Sequence, residues 1–315
     1  CLHDKEPDYE KRTFCNAFIG GVPDNVGIAW CNGYLYCLVE TELIRCSPDG
    51  SHKETFYQWG HGAAIEQWII HRDVLYYVEH KYRVDHNTVK DMYAINALSL
   101  TETVKQPQPI YLTDEHLNIK SLNYPMAYGN YLYFQVIGFT ASDDLATDEQ
   151  FTEYLYVKTF IYNLTDGQLN EVTIPGLSKY EVIQGVNFWK DKIIFSVYDF
   201  LHKDNETTAL YSADLDGTNP EVLMEEYPRY GIMTDGQYLY LTNSGKAYES
   251  GEEILYMVFN HELELIDTFQ LPFRSYYAKA MGTPQRAYWP FYYGEESQKQ
   301  GKAGFGLMCW DKSKI

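Results

Sequence analysis

The sequence predicts an all-β fold, a six-bladed antiparallel β-propeller in which the N-terminal strand closes the last blade. Three observations lead there. A short aromatic–aliphatic strand recurs six times, each copy follows a cluster of turn residues, and no segment carries the sustained 3.6-residue apolar period of a helix. Composition agrees, because 30 of the 315 residues are Tyr and 15 are Phe, and aromatic side chains favour pleated, half-buried surfaces.

The recurring strand reads Tyr34-Leu35-Tyr36, Leu75-Tyr76-Tyr77, Tyr131-Leu132-Tyr133-Phe134, Ile193-Ile194-Phe195, Tyr238-Leu239-Tyr240 and Tyr288-Trp289. The turns before it are Asn32-Gly33, His71-Arg72-Asp73, Gly129-Asn130, Lys190-Asp191, Asp235-Gly236 and Gly282-Thr283-Pro284. Turn residues between two β-rich runs specify a hairpin. A second strand type follows in five units: Leu43-Ile44-Arg45-Cys46, Met92-Tyr93-Ala94-Ile95, Tyr154-Leu155-Tyr156-Val157, Leu210-Tyr211-Ser212-Ala213 and Ile254-Leu255-Tyr256-Met257. Polar turns such as Pro48-Asp49-Gly50 and Thr165-Asp166-Gly167 then lead to a short last strand, as in Glu221-Val222-Leu223. Each unit is a four-stranded meander that cannot bury both faces alone, so the sheets stack radially.

Blades are expected at 26–57, 64–106, 122–174, 181–225, 229–269 and 276–311, with the connector 107–121 able to hold one more strand. The sixth unit lacks a fourth strand, and Arg12-Thr13-Phe14-Cys15-Asn16-Ala17-Phe18-Ile19 is a strand without a sheet. Closing the ring with it removes two unpaired edges. That places Cys15 beside the strand of Cys309, where a disulfide is one outcome and two buried thiols the other. Residues 11–315 thus form one domain, and residues 1–10 a tether.

The run Leu210-Tyr211-Ser212-Ala213-Asp214-Leu215-Asp216-Gly217-Thr218-Asn219-Pro220-Glu221-Val222-Leu223 resembles the repeat of bacterial extracytoplasmic propellers of the TolB-like kind, and of propeller lipoproteins of Gram-positive gut bacteria. Ile44-Arg45-Cys46-Ser47-Pro48-Asp49-Gly50-Ser51 is a looser copy. The resemblance implies blade architecture. It carries no catalytic residue, because this fold hosts binders, scaffolds, lyases and hydrolases alike. Cys1 fits the same setting, since mature bacterial lipoproteins begin on a lipid-bearing Cys ahead of a polar tether. The expected location is therefore extracytoplasmic, lipid-anchored to the bacterial cell membrane. The alternative is a chain boundary that happens to fall on Cys.

Charge narrows the partners. The net charge is −19, with 25 basic against 44 acidic residues, whereas a nucleic-acid partner needs clustered Lys and Arg. No apolar run approaches the roughly 18 residues of a membrane helix, so membrane contact is expected only through Cys1. The cysteines lack a C-x-x-C pair and the histidines an H-x-H or H-E-x-x-H arrangement, so no metal and no cofactor are expected. Asp214-Leu215-Asp216-Gly217 opens like a calcium loop but lacks the later acidic ligand, and reads as a hairpin turn.

Loop length supplies the functional signal. Second-to-third connections are long in five units, at 80–90, 138–152, 200–206, 244–252 and 294–302, and in a propeller they share a face with the connections between blades. Long loops on a rigid scaffold commonly carry binding, although loops also lengthen at small cost. The inter-blade connections on that face offer Trp59, His61, Arg229, Tyr230, Arg274, Tyr276 and Tyr277. Aromatic rings stack on sugars or peptide side chains, and Arg forks onto carboxylates. These residues are the expected ligand contacts of a monomeric, non-catalytic surface protein that binds a protein or a carbohydrate. Packing between blades is the competing role for the aromatics. An extracytoplasmic lyase or glycosidase with its site at the channel mouth, and an envelope-assembly scaffold, are the competing functions.

Overall fold

A computed structural model of the chain describes residues 28–47, 49, 52–61, 63–85, 88–114, 117–140, 154–178, 180–199, 207–228, 232–234, 237–242, 254–271, 281–282, 286–292 and 305–312. They form six antiparallel sheets, each a meander in chain order. The first contains β1 (Ile28–Cys31), β2 (Tyr34–Val39), β3 (Glu42–Cys46) and β4 (Lys53–Gln58). The second contains β5 (Ala64–His71), β6 (Val74–Asp85), β7 (Thr88–Ser99) and β8 (Gln108–Leu112). The third has β9 (Asn118–Tyr128), β10 (Tyr131–Phe139), β11 (Leu155–Asn163) and β12 (Leu169–Glu171). The fourth has β13 (Glu181–Trp189), β14 (Lys192–Asp199), β15 (Thr207–Asp214) and β16 (Glu221–Pro228). The fifth has β17 (Ile232–Thr234), β18 (Leu239–Thr242), β19 (Ile254–Phe259) and β20 (Leu265–Leu271). The sixth shows β21 (Met281–Gly282), β22 (Arg286–Tyr292) and β23 (Phe305–Asp311).

Alternation along the second strands explains the stacking. In β6, Leu75 and Tyr77 pack with Tyr36, Leu38 and Leu43 of the first sheet. Tyr76 and Val78, on the opposite face, pack with Leu132, Phe134 and Val136 of the third. Tyr133 of β10 meets Ile193 and Phe195 of β14, and Ile194 of β14 meets Leu239 and Leu241 of β18. A period-2 strand with both faces apolar is buried only between two sheets. The first strands of successive sheets adjoin one another, β1 with β5, β5 with β9 and β13 with β17, so they gather at the axis.

Two expected boundaries shift. The fourth strand of the second sheet is Gln108–Leu112, in the segment read as a connector, with Pro109 opposite Asn96. An outermost strand tolerates a proline because its outer edge needs no donor. The segment 80–90 is an extension of the β6–β7 hairpin rather than a loop, ending with Asp85 opposite Thr88. The turn at Asp214–Gly217 is a hairpin turn, with the Gly217 amide donating to the Asp214 carbonyl at 2.8 Å. The closing strand 12–19, the tether, Cys1 and Cys15 lie outside the described residues. Cys309 sits in β23 opposite Tyr288.

The face bearing the first-to-second turns is fastened from sheet to sheet. Asp73 accepts from Asn32 Nδ2 at 2.7 Å and from the Cys31 thiol at 3.2 Å. The imidazole Nε2 of His71 reaches the Gly129 carbonyl at 2.8 Å, and Arg72 donates to Asn130 Oδ1 at 2.5 Å. Lys190 donates to the His261 carbonyl, and Lys312 to Gln237 Oε1 at 3.2 Å. Arg72 and Asp73 hold left-handed backbone, φ 48 and 62, a conformation that costs non-glycine residues about 1 kcal/mol and that these bonds help to offset.

Candidate functional site

The opposite face, which carries the second-to-third connections, is elaborated in the second sheet. β5 pairs with β6 only as far as Ala64 opposite His80, and β8 reaches only Leu112 opposite Ala94. Beyond those points β6 and β7 pair with each other alone, apart from Tyr93, whose backbone bonds Thr113, so 81–85 and 88–92 project as a two-stranded ribbon. Tyr82 on that ribbon is 64% exposed.

His80 sits where the ribbon leaves the sheet. Its Nδ1 lies 3.2 Å from Glu66 Oε1 and its Nε2 lies 2.8 Å from Asp91 Oδ1. The ring stacks on Tyr93 at 4.4 Å and 4°, and meets Tyr82 at 4.5 Å. Register explains the meeting, since His80 lies opposite both Ala64 and Tyr93 while Tyr82 lies opposite Asp91. Glu66 enters through a bulge, as Ile65 pairs with Glu79 and Gln67 with Val78. Such an extra residue re-aims its side chain. The Tyr93 hydroxyl donates to the Lys120 carbonyl of β9 at 2.7 Å, tying the ribbon base to the third sheet.

Burial pushes the Glu66 carboxyl above the usual carboxylate range; the His80 ring opposes the rise and Asp91 reinforces it. Burial likewise pushes the Tyr93 phenol up, reinforced by Glu66 and Asp91. On the other side of the sheet, Glu79 accepts from Asn96 Nδ2 at 2.9 Å and pairs with Lys81 at 3.1 Å. The Tyr57 phenol is pushed up by burial and then by Glu79. Both ring nitrogens are turned onto carboxylates, so His80 joins β5, β6 and β7 at one point. Among the described residues no group of three or more His, Cys, Asp or Glu is placed to hold a metal ion.

The expected ligand contacts separate. Trp59 is 5% exposed and lies in the core shared by the first two sheets, the packing role that competed with ligand contact. Its ring meets Tyr57 and Tyr77 edge-on at 5.0 and 5.1 Å, so neither face is open to a ligand. Its indole Nε1 has no hydrogen-bond partner among the described residues, though it lies close enough to the Tyr77 hydroxyl to oppose the rise that burial imposes there. His61, two residues on, is exposed. Arg229, Tyr230, Arg274, Tyr276 and Tyr277 lie outside the described residues. Sequence reasoning missed Glu66, Tyr82, Asp91 and Tyr93, and met His80 only as one scattered histidine. The one signal available was that polar 80–90 joins two strand-like runs, which a long hairpin also satisfies.

Six meander sheets, the first five stacked face to face in chain order, decide the architecture. The fold is a β-propeller. Solved structures agree. The oligogalacturonate lyase of Vibrio parahaemolyticus aligns over 90% of this chain and 76% of its own, at 12% identity and a TM-score of 0.60. Puromycin hydrolase aligns over 92% of this chain and 44% of its own, at 11% identity and a TM-score of 0.57. A putative TolB from Agrobacterium tumefaciens aligns over 78% of this chain and 80% of its own, at 13% identity and a TM-score of 0.44. At such identities the likeness is one of fold alone. No family model and no curated protein matches the chain.

Proposed function

We propose that this propeller is a non-catalytic, extracytoplasmic binding protein that takes a protein or carbohydrate ligand on its elaborated face. One observation carries the reading: a braced two-stranded ribbon presents the exposed ring of Tyr82 above the sheet. An amphipathic ring on a rigid mount contributes contact area at small entropic cost, and suits sugar faces and peptide side chains equally. His61 adds an exposed polar group on the same face. In this reading Arg229, Tyr230, Arg274, Tyr276 and Tyr277 extend the surface through later inter-blade connections. The resemblance of the 210–223 repeat to extracytoplasmic propellers supports the location.

Glycan and peptide arrays probed with the intact chain test it. Binders are expected on one of the two arrays. Tyr82→Ala with His61→Ala should weaken them about tenfold or more, as should Arg229→Ala with Arg274→Ala. Silence on both arrays, or binding indifferent to both double variants, refutes the assignment.

A further inference from the structure

We propose that His80 is a pH-sensitive latch, holding the β6–β7 ribbon to the propeller body while its ring carries two protons and loosening it when one is lost. The geometry sets this requirement. Nδ1 and Nε2 each face a carboxylate oxygen, at 3.2 and 2.8 Å. Carboxylates only accept, a neutral imidazole has one N–H, and the imidazolium has two. While Glu66 and Asp91 are both ionised, both contacts are therefore hydrogen bonds only when the ring is charged. In the neutral ring, one carboxylate faces a nitrogen lone pair.

The two carboxylates belong to different parts of the molecule. Glu66 projects from the bulge in β5, the innermost strand of its sheet, and Asp91 lies on β7 in the ribbon. His80 joins them at the last residue of β6 that pairs with β5. The remaining groups around the ring are accounted for. Tyr93 of β7 stacks on it and Tyr82 of β6 leans against it. From β9 comes Lys120, whose carbonyl takes the Tyr93 hydroxyl while its side chain is exposed. Glu79 and Lys81 alternate to the opposite side of the strand, where they pair with each other at 3.1 Å. At its base the ribbon is also tied through Tyr93, whose amide donates to Thr113 Oγ1 at 2.9 Å and whose carbonyl accepts from the Thr113 amide at 2.9 Å.

The consequence for ligands rests on the reading of the ribbon as a docking element. Tyr82 is aimed by the strand that His80 anchors, so a fixed ribbon presents a pre-organised anchor and a loosened one must be ordered on binding. The latch itself stands apart from that reading and is tested without any ligand.

Amide hydrogen exchange of the intact chain, measured at about pH 5.5 and about pH 8.5 across the interval in which histidine commonly changes charge, is the direct experiment. Rates are normalised to the intrinsic exchange at each pH. Protection of amides in 81–85 and 88–92 is expected to fall about tenfold at the higher pH, the effect of losing one charge-assisted hydrogen bond, while β14 holds constant. His80→Phe keeps the stack on Tyr93 and removes both donors. It should show the weakly protected ribbon at both pH values. Equal ribbon protection at the two pH values in the unaltered chain overturns the proposal, whether or not His80→Phe folds. A full pH response surviving in His80→Phe overturns it equally. Because no ligand is present, failure here leaves the array result standing, and silent arrays leave the latch standing.

Discussion

The two faces of the propeller are held by different chemistry. On the face of the first-to-second turns, short links run from one sheet to the next: Asn32 and Cys31 to Asp73, Arg72 to Asn130, His71 to Gly129. Several end on backbone carbonyls or neutral side chains. The Cys31 thiol, pushed up to about 11 by burial and then by Asp73, stays protonated at ordinary pH and keeps donating. On the opposite face, β6 and β7 extend past β5 and β8, and the junction holds an imidazole between two acids. One face fastens neighbouring blades, and the other carries the projecting ribbon. Rigidity on the first allows variation on the second.

The largest expected effect comes from joining the two behaviours at a glycine. A Cβ on Gly138 would lie 2.5 Å from the Asn118 carbonyl oxygen and 2.8 Å from the Ile119 Cα. Both are backbone atoms, so β9 must move. Gly138→Ala is expected to cost about 3 kcal/mol in urea unfolding. It should also loosen the ribbon, because neighbouring Lys120 receives the Tyr93 hydroxyl. Unchanged stability would mean that β9 is not pinned there.

Asp73→Ala should come next. It removes the acceptor of Asn32 and Cys31 and leaves alanine at positive φ, together costing about 2 kcal/mol. Binding to an array ligand should be unaffected in the folded fraction. A loss of affinity with stability intact would reverse the roles assigned to the two faces.

The contrast between the faces also explains what was legible in the sequence. Turns such as Asn32-Gly33 and Arg72-Asp73 declare themselves through residues that accept positive φ, and the strands between them through apolar residues on both faces. The ribbon does not, because strand patterns record burial. Lys81 and Tyr82 face solvent, and only cross-strand pairing makes them β. Gln108–Leu112 was hidden in the same way by Pro109 and by its place at a sheet edge. The Glu66–His80–Asp91 group has no motif spacing, since its members come from three strands and one depends on a bulge. Trp59 was ambiguous because an aromatic in a connection looks alike whether it packs a seam or faces a ligand.

Glu66 offers a smaller, directional test. Burial raises its folded value, so the folded state keeps the proton longer than the unfolded chain does. The stability gained from the neutral carboxyl is present at acid pH and is lost as pH rises through that raised value. Urea midpoints for the unaltered chain should fall relative to Glu66→Gln from about pH 4 upward. A parallel pH course in the two proteins would show that Glu66 does not carry the slope.

The smallest stability effect is expected where the binding effect is greatest. Tyr82 is exposed and rests on His80 by one edge, so Tyr82→Ala removes little buried area. Its unfolding free energy should change by about 0.5 kcal/mol or less, whereas affinity for any array ligand should fall about tenfold or more. Tyr82→Phe separates the two properties of the ring: a stacking role survives the change, and a role for the hydroxyl does not. If Tyr82→Ala instead destabilised the protein as strongly as Asp73→Ala, the ribbon would be part of the scaffold. The division between a fastening face and a presenting face would then fail at the residue chosen to represent it.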